Sequence, residues 1–107
     1  MTFPDPVLPP REQPPDVALA LTVLGEAEGE SPLGKACVAH VIVNRMRQRG
    51  LTAQAACFAP WQFSCWNAGS TRAQFLADTT AKASGNIPLG MWSSCWAAAT
   101  NALLGQS

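Results

Sequence analysis

The sequence predicts a mainly α-helical domain, and three observations carry that expectation. Apolar residues recur three and four apart in several stretches, each opened by a capping residue or a proline and closed by a glycine. No stretch alternates apolar and polar residues at the period of a strand. Of the 107 residues 48% are hydrophobic, enough for one modest core. Any small sheet belonging to such a domain is expected to lie outside this chain.

Taken in order, residues 1–15 hold six prolines and no apolar period, so they read as an extended arm or linker beside a helical domain spanning 16–107. Asp16 is placed to cap a first helix, with Val17, Leu21 and Leu24 on one face and an end near Gly25 and Gly29. Ser31 and Pro32 restart the pattern as a cap and a first-turn proline. The run LGKACVAHVIVNRMRQR then predicts a second helix of about four to five turns, stopped by Gly50. Cys37, Val38, Val41 and Ile42 make much of its circumference apolar, which predicts that it is the buried central helix. A short helical piece, LTAQAAC, leads into an aromatic loop, FAPWQFSCWN. The stretch STRAQFLADTTAKASG, with Phe75 and Leu76, predicts a third main helix ended by Gly85. Pro88 opens a fourth, in which Met91, Cys95 and Ala98 stand at helical spacing and Trp92 and Trp96 serve packing.

Charge and composition narrow the functions. The net charge is zero, yet residues 1–30 carry six acids against Arg11, while the rest carries six bases against Asp78. Such a basic body suits an anionic partner such as a cell-wall polymer, a membrane surface or nucleic acid, although Arg45, Arg47 and Arg49 also fit a helix C-terminus, where cations are favoured. No apolar run is long enough to span a bilayer, so membrane insertion is not expected. The first residues lack a basic start followed by an apolar segment, so synthesis in the cytoplasm is expected, and anything done outside it needs another export route. Cys37, Cys57, Cys65 and Cys95 show no zinc-ligand spacing and read as buried thiols, with pairing between Cys57 and Cys65 left open for an oxidising setting. Neither a metal nor a cofactor is expected, because no phosphate-binding glycine loop is present either. Basic residues are not interleaved with aromatic ones, which argues against nucleic acid. His40 falls inside an apolar helix next to Val41 and is expected to be a hydrogen-bonded core residue, which removes histidine-dependent nucleophiles.

Carboxylate chemistry remains. The stretch GEAEGE sets Glu26, Glu28 and Glu30 in six positions. Glu26 falls at the C-terminal end of the first helix, where unsatisfied carbonyls disfavour negative charge, and apolar neighbours would favour its protonated form further. A general acid at a glycosidic oxygen needs that environment. Glu30 stands just before the next helix, whose positive end favours the ionised form, and Glu28 is expected to face solvent. The plain alternative is that all three are surface charges between two helices. Downstream, Trp61, Phe63 and Trp66 alternate with Gln62, Ser64 and Asn67, offering apolar faces beside amides and hydroxyls. Sugars have apolar C–H faces and polar rims, so this loop suits a saccharide groove, with Phe63 the residue best suited instead to plug the core.

The blocks LTVLGEAEGE, GKACVAHVIVNRM and PWQFSCWN, followed by MWSSCWAAATNALLG, resemble the SleB-type cell wall hydrolases, a family that includes spore-cortex-lytic enzymes and relatives from phages and Gram-negative bacteria. The resemblance implies a lysozyme-like helical fold of the goose-type or lytic transglycosylase kind. It also implies cleavage of peptidoglycan glycan strands between N-acetylmuramic acid and N-acetylglucosamine, leaving an anhydro sugar. The family's catalytic glutamate is the first of its EA-x-GE block, here Glu26, and the second is Glu30, with a positioning role. Asn44 and Arg45 match its NR pair, and Gln62, Phe63 and Ser64 match its QFS segment. Glu30, Asn44, Gln62, Phe63, Ser64, Trp66 and Asn67 are thus the expected substrate-binding residues. Family members usually continue with a Gly-Ala-x-x-aromatic segment that forms a small sheet beside the site, whereas this sequence ends at NALLGQS. The missing wall is then expected from a partner, a second copy or further chain. The rival expectations are a hydrolytic muramidase, a non-catalytic glycan-binding module and a phage structural component.

Overall fold

A computed structural model describes residues 1–27, 29–59, 63–66 and 88–105. Their architecture is mainly helical: α1 (Pro15–Ala27), α2 (Pro32–Arg49), α3 (Ala53–Cys57) and α4 (Leu89–Leu103), with 3-10 turns at Pro10–Glu12 and Ser64–Trp66. No strand occurs among the described residues. The third main helix expected over 70–85 lies outside them, as does Glu28. No described helix is long and apolar enough to cross a membrane.

The buried central helix is α1, not α2. Every residue from 17 to 24 is sealed from solvent, Thr22 included, and Ala27 is buried too. The stretch VALALTVL is apolar around its whole circumference, so it lowers its free energy only when enclosed, by about 1.5–3 kcal/mol for each large side chain. Helices α2, α3 and α4 and the first 3-10 turn all pack against it. By contrast α2 buries one stripe, Lys35, Ala39, Ile42 and Val43, and leaves Cys37 and Val41 exposed. Its apolar residues exceed what one packed face can hold, which is why the sequence overstates its burial. His40 is displaced for the same reason: it stands one position round from Ala39 and is only half-buried. Instead of joining the core it lines a groove of about 220 Å³ between α2 and α4, with Pro32, Ala36, Ser94 and Asn101.

Local signals set the ends of α2 as expected. Ser31 Oγ accepts from Gly34 N at 3.2 Å, Pro32 fills the first turn, and Gly50 closes the helix in the left-handed region at φ 65°. Thr52 caps α3 by accepting from Ala55 N at 3.1 Å. Helix α1 begins one residue before Asp16, whose carboxylate accepts from Val17 N at 2.8 Å within the first turn. Pro88 precedes α4, whose Trp92 and Cys95 are fully buried and whose Trp96 ring packs 6.3 Å from Trp92.

The first fifteen residues are a correction to the arm standing apart from the core. Pro4 and Pro10 are buried and Gln13 is inaccessible. The Gln13 amide donates to the carbonyls of Asp5 and Leu8 at 2.8 and 2.9 Å and accepts from Asp5 N at 3.0 Å. Gln54 Nε2 donates to Gln13 O at 2.8 Å, tying the segment to α3. Phe3 stacks 6.2 Å from Trp92, whose indole N–H donates to Thr2 O at 2.9 Å. Prolines stiffen the segment, but one buried glutamine and one tryptophan anchor it. Replacing Gln13 by Ala strands these backbone groups and should cost about 1–3 kcal/mol in urea denaturation followed by circular dichroism. A Gln13→Ala protein of unchanged stability would show that the segment is not anchored.

Candidate functional site

Helix α1 leaves the core at Gly25, and Glu26 is the first charged residue beyond the sealed run, half-buried in the last turn. There the carbonyl end of the helix offers no donors. The donor comes from the loop: Cys65 N–H reaches Glu26 Oε1 at 3.4 Å. That is long against the ~2.7–3.2 Å usual for N–H···O, so the bond orients the carboxyl without locking it. Glu26 and the aromatic loop therefore meet at Cys65.

The loop itself is held by three side-chain contacts. Trp66 Nε1 donates to Thr22 Oγ1 at 2.9 Å, and Thr22 Oγ1 donates to Ala18 O at 2.9 Å. A hydroxyl has one donor and two acceptor sites, so Thr22 passes its proton back along α1 and keeps an acceptor for the indole. Trp66 also lies against Phe58, with ring centroids 4.8 Å apart, and Arg11 covers the Phe58 ring at 5.0 Å. Phe63 is buried in the core, and its ring lies 5.5 Å from the guanidinium of Arg45. Arg45 thus supports the loop from α2, while Arg47 and Arg49 occupy the last turn of that helix.

Glu30 stands on the exposed link between α1 and α2. Its backbone is fixed at both ends: Glu30 N donates to Ala27 O at 3.0 Å, and Lys35 Nζ donates to Glu30 O at 2.9 Å. Its side chain lies over Gly34, where an added Cβ would come within 2.9 Å of Glu30 Cβ. Asn44 is exposed on α2. Trp61, Gln62 and Asn67 lie outside the described residues, and Ser64 is described only as backbone of the 3-10 turn. The structure thus joins Glu26, Cys65 and Trp66 into one cluster, with Phe63 beneath it. It records no contact joining Asn44 or the Glu30 carboxyl to that cluster.

Thr22, Lys35 and Cys65 bond to the candidate residues Trp66, Glu30 and Glu26 and were not singled out from the sequence. Thr22 carried a legible signal, as the one polar residue in an apolar helical run. Three thiols are buried, Cys57, Cys65 and Cys95, and all four cysteines are free. Burial pushes Cys57 up to about 11 against a hydrogen bond with Thr22, and pushes Cys95 up to about 11 against the nearby Lys35 charge. Cys65 is raised further, first by burial and then by the Glu26 carboxylate beside it. Among the described residues no group of three His, Cys, Asp or Glu side chains is placed to hold a metal ion.

A mainly helical domain with a half-buried carboxyl at the end of its central helix, facing an aromatic loop, is an architecture suited to acting on saccharides. The chain matches the family model described as Cell Wall Hydrolase over residues 29–107, and it belongs to that family. Its activity class is accordingly that of a hydrolase acting on peptidoglycan. The match begins just past Glu26, so it rests on α2, the loop and α4 and does not include that residue. Searches of curated proteins and of solved structures find no match.

Two outcomes test this geometry. Thr22→Val leaves the Trp66 indole N–H without its acceptor and should cost about 1–3 kcal/mol, with a shift in tryptophan emission; unchanged emission and stability would contradict the bond. Stability should also fall with pH above 9.0. Unfolded thiols release protons there, while folded Cys57 and Cys95 hold theirs to about 11, so the unfolded state binds fewer protons across that window. Urea melts of Cys57→Ala should show a shallower decline between pH 9 and 11, with no change of slope below 9.

Proposed function

We propose that the protein cleaves the peptidoglycan glycan strand between N-acetylmuramic acid and N-acetylglucosamine as a lytic transglycosylase, on a lysozyme-like helical scaffold, with Glu26 as its single general acid and base. The observation that carries this reading is the placement of Glu26: a half-buried carboxyl at the exit of a sealed helix, turned toward the loop of Phe63, Cys65 and Trp66. The carboxylic acid gives its proton to the glycosidic oxygen as the C1–O bond breaks, and the N-acetylglucosamine side leaves as an alcohol. The carboxylate then takes the proton from the muramic acid 6-hydroxyl, whose oxygen closes on C1. No water is consumed, and Glu26 returns to its protonated state. One carboxyl suffices because the nucleophile is built into the sugar, whereas ordinary glycosidases need two.

The half-exposed Trp66 ring offers a flat apolar face to a sugar, backed by Phe58. Asn44, Gln62, Ser64 and Asn67 supply hydrogen bonds to the polar rims in this reading, and Glu30 helps to place the strand. Phe63 contributes from beneath, as the packed support of the loop. The substrate lies in the cell wall, and the protein meets it there after release or export. The hydrolytic alternative is separated by its products, since a muramidase leaves a reducing end where a transglycosylase leaves an anhydro end one water lighter.

Glu26→Gln keeps the shape of the side chain and removes its proton. It should lower muropeptide release from purified sacculi by about 10²–10⁴-fold while leaving the far-ultraviolet circular dichroism spectrum unchanged. Mass spectrometry of the wild-type digest should show anhydro ends. Undiminished release by Glu26→Gln would overturn the mechanism.

A further inference from the structure

The Cys65 thiol has no role in the chemistry above, yet it occupies the most constrained place in the site. The residue is 2% exposed, so its S–H cannot turn to water. Around it stand Glu26 from α1 and Cys57 from α3, while Arg45 of α2 lies over Phe63, two residues earlier in the loop. Of these groups, Glu26 is the one strong acceptor, and the Cys65 backbone N–H already points at its Oε1 from 3.4 Å. The loop cannot drift, because Trp66 is bonded to Thr22 and Phe63 is buried against the core.

We propose that Cys65 is a positioning residue for Glu26, its backbone N–H and its thiol together holding the carboxyl toward the open side of the loop. This rests on Glu26 being the acid of the proposed reaction. Two features suit a thiol to the task. Burial and the adjoining carboxylate keep it protonated, so it remains a donor and never becomes a second anion beside Glu26. A thiol is also a weak donor, so it restrains the carboxyl while leaving it free to give and recover its proton. Serine in its place preserves a donor and alanine does not.

The test has one arm that needs no activity. In Raman spectra of the folded protein, the S–H stretching band of Cys65 is the one that disappears in Cys65→Ser. It should lie at lower frequency than the bands of Cys57 and Cys95, and should move up in Glu26→Ala, which removes the acceptor. The second arm is turnover of sacculi. Cys65→Ala should lower kcat about tenfold, the effect of losing one hydrogen bond, with KM little changed and some thermal stability lost with the buried sulfur; Cys65→Ser should recover most of the rate. A Cys65 band that stays put in Glu26→Ala, or wild-type kcat in Cys65→Ala, overturns the proposal. A wild-type protein that fails to cut sacculi while the band still moves overturns the functional reading and leaves the contact standing.

Discussion

The structure depends on enclosing one helix. From Val17 to Leu24 the chain presents apolar surface in every direction around α1, and no single partner can cover it. Helices α2, α3 and α4, together with the proline-rich first residues, close around that surface. The enclosure has two local consequences. Thr22 sits where no water can reach it, so its hydroxyl must be paired within the protein, and the pairing reaches out to the indole of Trp66. Glu26 sits where the enclosure ends, close enough to the core to be half-sheltered and far enough out to meet a polymer.

The same constraint explains how a short loop can be placed accurately with no strand among the described residues. Three of its described residues use different anchors. Phe63 goes into the core over Arg45, Cys65 turns its N–H to Glu26, and Trp66 reaches back to Thr22. Two of those anchors lie on α1, one turn apart, so the loop and the carboxyl are referred to the same rigid element. Lys35 adds a second restraint, since its amine holds the carbonyl of Glu30 and with it the link into α2. In the proposed reaction, such a site is preorganised by the helix that carries Glu26.

What was legible in the sequence was local. The limits of α2 follow from Ser31, Pro32 and Gly50, residues whose preferences act over a few positions, and the structure has the same limits. Residue type drew attention to GEAEGE and to the aromatic loop, and the structure brings the two together at Cys65. Burial was less legible, because it depends on what surrounds a helix. Cys37 and Val41 look like core residues, yet α2 has only one packed face, so they and His40 fall outside it. The proline-rich start was misjudged for a similar reason. Its anchors are the bonds of Gln13 to Asp5, Leu8 and Gln54 and that of Thr2 to Trp92, and no periodicity announces such contacts. Cys65 was missed because its bond to Glu26 spans 39 positions of sequence.

The claim at the centre of this account is that the glycan lies across the exit of α1. A crystal structure of Glu26→Gln with a peptidoglycan tetrasaccharide tests it most directly. The expected result is a glycosidic oxygen within hydrogen-bond distance of the residue 26 side chain, with a sugar face on Trp66. A saccharide seated instead in the groove of His40, Ser94 and Asn101 between α2 and α4, with residue 26 untouched, would contradict it.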